Sequence, residues 1–178
     1  MAELKFGQIV NKTGSAGVSR GVIYRTGTDG KFTKAETWDG LTKVTTSPEG
    51  GEAQDFYADN TKYLTLRGAE NLKFTIEAFR FPPSFAECDG TKQLEAALPG
   101  MFADNQARAT FCFSWTTTLV NAASGLNFGE EIHIVYMASA SPSSQDNSTL
   151  NDSPDLKQFS WECSTTPVPG WLDRKSVV

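Results

Sequence analysis

The chain has 178 residues, a length typical of one domain, and 39% of them are hydrophobic, with 12 Phe and 4 Trp. This composition can form a buried core and is not that of a disordered chain. Its 16 Lys and Arg against 21 Asp and Glu give a net charge of -5, which disfavours tight binding of nucleic acid through a basic surface.

Neither a membrane-spanning segment nor a signal peptide is indicated. No stretch has the ~18 apolar residues of a membrane span, and the N-terminal residues lack an apolar run. We therefore expect synthesis in a cytosol and no membrane anchor. Cys88, Cys112 and Cys163 are odd in number and widely spaced, which fits neither a disulfide framework nor a zinc cluster. We expect them to be buried free thiols.

Alternation of apolar and polar residues predicts strands along most of the chain. In residues 72–81, apolar side chains on one face alternate with Lys73, Thr75 and Glu77 on the other. In residues 108–118, Phe and Trp on one face alternate with other residues on the opposite face, which predicts a long strand with one wet or weakly polar side. The other predicted strands are 5–10, 18–26, 41–46, 62–66, 132–138 and 158–164.

Helix is scarce in the predicted structure. One short helix is predicted at 83–88, where prolines stand at the helix start, and another at 92–98. The pattern predicts a mainly β chain, an antiparallel β-sandwich or barrel with one or two short helices, as a single domain over 1–178. The predicted connections, rich in turn-forming residues, are 27–30, an extended loop at 47–60, 122–129 and a mobile loop at 139–155.

Residues that could carry catalysis or hold a metal are few. His133 is the only histidine and lies within a predicted strand, so we interpret it as structural rather than as the base for a thiol nucleophile. Glu130 and Glu131 are adjacent on a strand edge and point to opposite faces. The loop 146–155 offers oxygen ligands but lacks the Gly and the final Glu of an EF-hand loop. We expect no enzyme, no metal and no cofactor.

Four segments resemble the major tail tube protein of long-tailed bacteriophages. They are TWDGLTKVTTSPEGGEAQDFYADNTKY from residue 37, ENLKFTIEAFRFPPSFAECDG from residue 70, EEIHIVYMASASPSS from residue 130 and NDSPDLKQFSWECSTTPVPG from residue 151. The resemblance extends from about residue 21 to residue 170. It implies a β-sandwich or barrel-like domain with a small flanking helix, six copies in a ring, and rings stacked into the tube through which the genome leaves the capsid. It implies neither an enzyme nor a cofactor.

The resemblance also implies partners and a location. These are other copies of the chain, the tape measure, tail terminator and distal tail proteins, and DNA that passes through the lumen without specific binding. The protein would be made in the bacterial cytoplasm and reside in the phage tail. The sequence departs from the family after STTPV, where members continue with an apolar strand and this chain has WLDRKSVV. We expect 165–178 to be a C-terminal tail, truncated, rearranged or used for contact between subunits.

A sheet with one polar face suits such an assembly, because pairing of its edges between copies removes exposed strand edges. Six copies with about four strands each would close a barrel of ~24 strands with a diameter of at least ~37 Å, wide enough for duplex DNA. Within 47–60, Gly50 and Gly51 supply flexibility, and Phe56 and Tyr57 are candidate anchors on a neighbouring subunit. The alternative is an ordinary surface loop.

The lumen of such a tube is expected to be net negative. Six copies at -5 give a ring of about -30, and charge that faces inward repels DNA phosphates instead of holding them. The candidate lumen residues are Thr75 and Glu77 on one strand and Thr110, Ser114 and Thr116 on another.

A second functional class remains open at this point. A β-sandwich carbohydrate-binding or adhesion module would use exposed aromatic rings to stack on sugars, and Trp38, Trp115 and Trp161 are the candidates. Such a module would stay monomeric and bind a ligand, whereas a tube protein forms rings or filaments.

Overall fold

The computed structural model describes residues 12–27, 31–50, 52–67, 71–93, 101–104, 107–122, 125–143, 156–166 and 175–177. These residues form strands in antiparallel ladders and one short helix, which confirms the predicted mainly β class. The elements are β1 (Thr13–Thr26), β2 (Phe32–Trp38), β3 (Leu41–Glu49), β4 (Ala53–Ala58), β5 (Thr61–Arg67), β6 (Asn71–Ala78), α1 (Pro83–Asp89), β7 (Lys92–Gln93), β8 (Phe102–Ala103), β9 (Phe111–Asn121), β10 (Gly125–Ala140), β11 (Phe159–Thr165) and β12 (Lys175–Val177).

The main sheet has the strand order β2-β1-β9-β10-β11-β6-β3, and β12 pairs with β10. Its described strands do not close into a barrel, since β2 and β3 form the two ends of this order. The two ends nevertheless meet at one corner, because only Asp39 and Gly40 connect β2 to β3. Gly40 has a φ of 86°, and its carbonyl accepts a hydrogen bond from the Phe79 N–H at 2.9 Å. The result is a curved sheet with two free edges.

An aromatic cluster fills the concave side of this sheet. The Trp161 ring lies 5.6 Å from Trp38, 5.0 Å from Phe85 and 5.3 Å from Phe159. The Trp38 indole N–H donates to the Arg80 carbonyl at 2.7 Å, which satisfies its polar group inside the core. The cluster therefore joins both ends of the sheet to α1.

Helix α1 confirms the prediction of a helix at 83–88. It begins directly after Pro82, whose φ of -73° suits a helix start, and the Ser84 N–H donates to a Glu36 carboxylate oxygen at 3.1 Å. It ends at Gly90, where a φ of 89° and a hydrogen bond from its N–H to the Ala86 carbonyl form a left-handed C-cap. The apolar side of α1 covers the sheet with Phe85 and Cys88, both fully buried.

Strand periodicity predicted most of the main sheet and one strand of a separate two-stranded sheet. The predicted strands 18–26, 41–46, 62–66, 72–81, 132–138 and 158–164 correspond to β1, β3, β5, β6, the second half of β10 and β11. The strand at 5–10 lies outside the described residues. The predicted connection at 122–129 is wrong from Gly125 onward, because β10 begins there and pairs with β9 through an irregular register. The prediction of a helix at 92–98 is wrong for its first two residues, because Lys92–Gln93 form β7, which pairs with β8. Residues 94–98 lie outside the described part.

Burial decides between the two alternatives predicted for strand β9. From Phe111 to Thr116 both faces are buried, so the side opposite the Phe and Trp rings is weakly polar and not wet. The reason is its central place in the sheet, between β1 and β10, where alternation shows which residues share a side but not which side is covered.

Residues 144–155 of the predicted loop 139–155 lie outside the described part, and β10 extends to Ala140. In the predicted tail 165–178, Lys175–Val177 form β12 on β10.

Candidate functional site

Strands β4 and β5 form a hairpin that is separate from the main sheet. They pair only with each other in the described ladders, from Ala53 opposite Arg67 to Ala58 opposite Thr61. Asp59 and Asn60 join them with φ values of 51° and 61°, as a two-residue type I′ turn requires. All described side chains from 52 to 66 are exposed. A two-stranded hairpin without a covered face is marginally stable by itself.

The hairpin carries a dense group of exposed apolar side chains. Phe56 lies opposite Leu64, and Leu66 follows Leu64 on the same face of β5. The register of the hairpin shifts between Phe56 and Tyr57, and Tyr63 lies opposite this shift. Tyr57 and Tyr63 are 70% and 78% exposed. Soluble monomers rarely expose so many large apolar side chains together, and such a patch marks an interaction surface.

Polar contacts hold the two strands of the hairpin together. The Lys62 ammonium lies 2.8 Å from an Asp55 carboxylate oxygen, and the Thr65 hydroxyl donates to the same carboxylate at 2.7 Å. The Lys62 contact, followed by that of Thr65, lowers the pKa of the Asp55 carboxyl below its ordinary value. These contacts align the strands, but they provide no cover for the apolar side chains.

The predicted anchors therefore lie on a strand and not in a loop. Phe56 and Tyr57 are both on β4, Gly50 is exposed directly after β3, and Gly51 lies outside the described residues. The prediction of an extended loop over 47–60 is corrected accordingly. The sequence signal that was missed is the Asp-Asn pair, whose tolerance of positive φ favours a two-residue hairpin turn.

The second candidate surface is the outer face of β3, β6 and β11, called here the polar sheet face. In β6 the predicted alternation is confirmed, since Phe74, Ile76 and Ala78 are buried while Lys73 is exposed. Cross-strand pairs extend the polar side over three strands. Its members are Lys43, Thr45, Ser47, Glu49, Lys73, Thr75, Glu77, Ser160, Glu162 and Ser164, in which two lysines against three glutamates give a charge of -1.

Glu77 lies on β6, the middle strand of the polar sheet face. One carboxylate oxygen accepts a hydrogen bond from the Gln158 side-chain amide at 2.9 Å, and the other lies 3.9 Å from the Lys43 ammonium. The Glu77 side chain is partly exposed, and Thr75 beside it is half-buried. Both predicted residues thus lie on a solvent-facing surface of the subunit, and a lumen position for them stays a prediction.

The other three predicted lumen residues are less exposed to solvent. Ser114 and Thr116 are 8% and 7% exposed, and Thr110 precedes β9, where its carbonyl accepts the Thr26 N–H at 2.9 Å. These three residues belong to β9 and its approach, which β10 and β11 separate from β6 in the strand order, and a lumen position for them stays a prediction.

His133 lies on β10 in a stacked and hydrogen-bonded position. Its ring lies parallel to Trp115 at 5.0 Å, and its Nε2 is 3.0 Å from the Thr117 hydroxyl. Glu131 is 3.6 Å away. All of these contacts are made with neighbouring sheet residues, which supports the interpretation of His133 as a structural strand residue.

The cysteines are free and buried, as predicted. Burial raises the pKa of Cys112 to about 11 and that of Cys88 to about 12, and it also raises the pKa of Cys163. A nucleophilic cysteine needs a thiolate near neutral pH, and these environments favour the protonated thiol. Within the described ranges no group of His, Cys, Asp and Glu is arranged to hold a metal ion, and no helix there is long and apolar enough to cross a membrane.

The tryptophans proposed for sugar stacking lie in the core. Trp38, Trp115 and Trp161 are 1%, 4% and 0% exposed. A stacking platform needs an accessible ring face, so a carbohydrate site built on these three residues is wrong.

Comparison with known proteins found similarity at the level of solved structures. The tube-terminating cap of the anti-feeding prophage is 10% identical, with a TM-score of 0.43 over 89% of this chain and 87% of that one. The baseplate of the same particle gives 10% identity and a TM-score of 0.41 over 89% and 92%. The sheath–tube complex of an extracellular contractile injection system in the extended state gives 10% and 0.40 over 89% and 88%. No protein-family model and no curated protein matches the chain.

Proposed function

We propose that the chain is a structural, self-assembling tail tube protein whose hexameric rings stack into the conduit for phage genome delivery. The observation that carries this proposal is the uncovered hairpin of β4 and β5, which leaves five large apolar side chains exposed. A self-assembling subunit covers such a surface with its neighbours. The resemblance of the sequence to major tail tube proteins supports the same assignment.

The magnitudes are compatible with assembly through the hairpin. Full burial of a large apolar side chain stabilises by about 1.5–3 kcal/mol, so five partly exposed ones can contribute on the order of 5–10 kcal/mol. Association of two proteins costs about 4–15 kcal/mol in lost freedom. The hairpin alone therefore comes near to offsetting this cost, and a second contact is needed for a stable ring.

The free edges of the main sheet supply that second contact. Strand β3 pairs with β6 on one side, and its other edge has no ladder partner among the described strands; β2 is in the same position beside β1. Pairing of β3 or β2 with a neighbouring copy satisfies these backbone groups and extends the sheet around the ring. The polar sheet face then lines the lumen, with Thr75 and Glu77 on its middle strand.

A lumen of this kind lets DNA pass without holding it. A charge of -1 on the polar sheet face gives about -6 for six copies, which repels phosphates weakly and offers no array of cations. In this role the partners are other copies of the chain and the tape measure, tail terminator and distal tail proteins. The site of action is the virion tail, after synthesis in the host cytoplasm.

The proposal is tested with the purified chain over a concentration series. Sedimentation velocity and negative-stain images should show hexameric rings or tubes that increase with concentration. A species that stays monomeric up to millimolar concentration and forms no tube with phage tail components contradicts the proposal.

A further inference from the structure

The hairpin of β4 and β5 keeps the register of the ladder between β3 and β6. The last pair of that ladder is Glu49 with Asn71, and both residues are equally distant from residue 60. The first pair of the hairpin is Ala53 with Arg67, and both are again equally distant from residue 60. The connecting residues 50–52 and 68–70 are equal in number, so neither strand contains an insertion relative to the other. The four strands therefore share one register.

A common register gives the hairpin two sides that correspond to those of the main sheet. Side chains alternate between the two sides of a strand, and residues paired across a ladder share a side. By this period Phe56, Leu64 and Leu66 fall on the side that is buried in β6. Asp55 and Thr65 fall on the side of the polar sheet face. The residue types agree with this division, since the first group is apolar and the second is polar.

Each lysine of β3, β4, β5 and β6 is close to a carboxylate. The Lys73 ammonium lies 2.9 Å from a Glu49 carboxylate oxygen, and the Lys62 ammonium lies 2.8 Å from Asp55. Lys43 lies 3.9 Å from the glutamate of β6. A lysine paired in this way attracts DNA phosphates less than a free one does. The polar side of the hairpin, which consists of Asp55, Lys62 and Thr65, thus has the same charge pattern as the polar sheet face.

From the common register, the corresponding sides and the paired lysines, we infer that the polar side of the hairpin continues the lumen wall. This inference rests on the proposed function, which assigns that wall to the polar sheet face of β3, β6 and β11. Strands of six and seven residues add about 20 Å to the wall. The additional residues that face the DNA are Asp55, Lys62 and Thr65.

The apolar side of the hairpin is then turned away from the lumen, toward other copies of the chain. In β6 the same side is covered by the core, where Phe74 and Ile76 are buried. Phe56, Leu64 and Leu66 lie beyond this cover and are 47%, 46% and 52% exposed. The two sides of the hairpin should therefore differ in accessibility once tubes have formed.

Cysteine labelling with reagents of two sizes tests this orientation. Thr65→Cys probes the polar side of the hairpin and Leu66→Cys its apolar side, and Ser47→Cys on β3 is the matched control on the polar sheet face. Each variant is labelled as free subunit and as assembled tube. One reagent is a small maleimide that enters the lumen from the tube ends, and the other is a maleimide on a polymer too wide to enter. The native cysteines are buried, and the wild-type chain gives the background.

In the free subunit, all three introduced cysteines should react with both reagents. In tubes, Thr65→Cys and Ser47→Cys should keep their rate with the small reagent and react at least tenfold more slowly with the large one. Leu66→Cys should react at least tenfold more slowly with both. If Leu66→Cys does not assemble, Gln54→Cys, which lies opposite Leu66, takes its place.

Tubes in which the large reagent reaches Thr65→Cys but not Ser47→Cys overturn the inference and leave the proposed function standing. Tubes that slow Thr65→Cys with the small reagent, or that leave the cysteine on the apolar side fully reactive, have the same consequence. A Ser47→Cys that reacts with the large reagent in tubes overturns the lumen assignment of the polar sheet face together with the inference. A wild-type chain that never assembles overturns both the inference and the proposed function.

Discussion

The aromatic cluster at α1 and the hairpin of β4 and β5 use the same kinds of side chain in opposite ways. In the cluster, Trp161 and Phe85 are enclosed by other rings from the same chain. In the hairpin, Tyr57 and Tyr63 extend into solvent. The cluster therefore contributes to the stability of the subunit, and the hairpin contributes nothing comparable until another surface covers it. The apolar residues of the described chain are thus divided between an enclosed core and an exposed hairpin.

The largest expected effect is in the cluster. Trp161→Ala removes a ring that contacts Trp38, Phe85 and Phe159, and it should lower the free energy of unfolding by about 3–5 kcal/mol. Urea denaturation followed by circular dichroism measures this change. A loss below 1 kcal/mol would show that the cluster does not hold α1 on the sheet.

Substitutions in the hairpin should affect assembly and leave the stability of the subunit nearly unchanged. Tyr57→Ser together with Leu64→Ser removes exposed apolar surface, so the free energy of unfolding of the subunit should change by less than ~0.5 kcal/mol. The concentration needed for assembly should rise about 100-fold, because two side chains no longer become buried at about 1.5 kcal/mol or more each. Sedimentation and denaturation of the same preparation test both parts, and unchanged assembly would remove the hairpin from the interface.

Alkaline pH should weaken the core through the buried thiol of Cys112. Burial raises the pKa of Cys112 from 9.0 to about 11, so above pH 9 the unfolded chain loses the thiol proton while the folded chain keeps it. The contribution of this thiol is complete below pH 9 and is lost as the pH rises to about 11, by on the order of 2 kcal/mol. Cys112→Ala should flatten that decline in denaturation curves recorded between pH 8 and pH 11. A decline of equal slope in both proteins would contradict it.

A pair of glycines on β1 compares a crowded site with an open one. A Cβ at Gly21 would lie 2.6 Å from Leu41 Cδ1 and 2.8 Å from the Trp38 carbonyl oxygen, so Gly21→Ala should cost about 1–2 kcal/mol. At Gly14 the nearest atom is Val120 Cγ2 at 3.8 Å, and Gly14→Ala should change stability by less than ~0.5 kcal/mol. Thermal unfolding of the two variants gives the comparison. Equal effects would indicate that the corner between β1, β2 and β3 is loosely packed.

The smallest expected effect concerns the polar sheet face. Glu77→Lys should still form tubes, because the residue is partly exposed and its contacts to Gln158 and Lys43 are surface contacts. Genome delivery should be slower, most clearly at low salt, because six lysines in the lumen attract phosphates. Glu77→Gln is the control for loss of charge alone. Delivery rates that are equal for all three proteins at low salt would place Glu77 outside the lumen.

Sequence patterns were sufficient to predict the strands in which one face is apolar and the other polar. In β6 and β11, apolar residues alternate with charged or hydroxyl residues, and the structure has strands at those places with the apolar side buried. Helix α1 was predictable from Pro83 at its start. Strand β9 was predictable as a strand, but the burial of Ser114 and Thr116 was not, because it depends on which side of a central strand is covered.

The candidate site was predictable only in part. Phe56 and Tyr57 were predicted as anchors, and this stays a prediction. Apolar residues in a sequence normally indicate burial within the subunit, and no local pattern shows that β4 and β5 form a sheet separate from the main one. A cleft beside α1 could not be predicted either. It combines Arg80, which precedes α1, with Asp89 at the end of α1 and with Phe102, so it exists only after the chain has folded.

Hydrogen exchange of the backbone amides tests the division between folding and assembly most directly. In the free subunit, the amides of β4 and β5 should exchange within seconds while those of β6, β9 and β11 stay protected, because a lone hairpin opens at little cost. In assembled tubes, the hairpin amides should become protected to a degree similar to the main sheet. Equal protection of the hairpin in the free and the assembled chain would contradict the account.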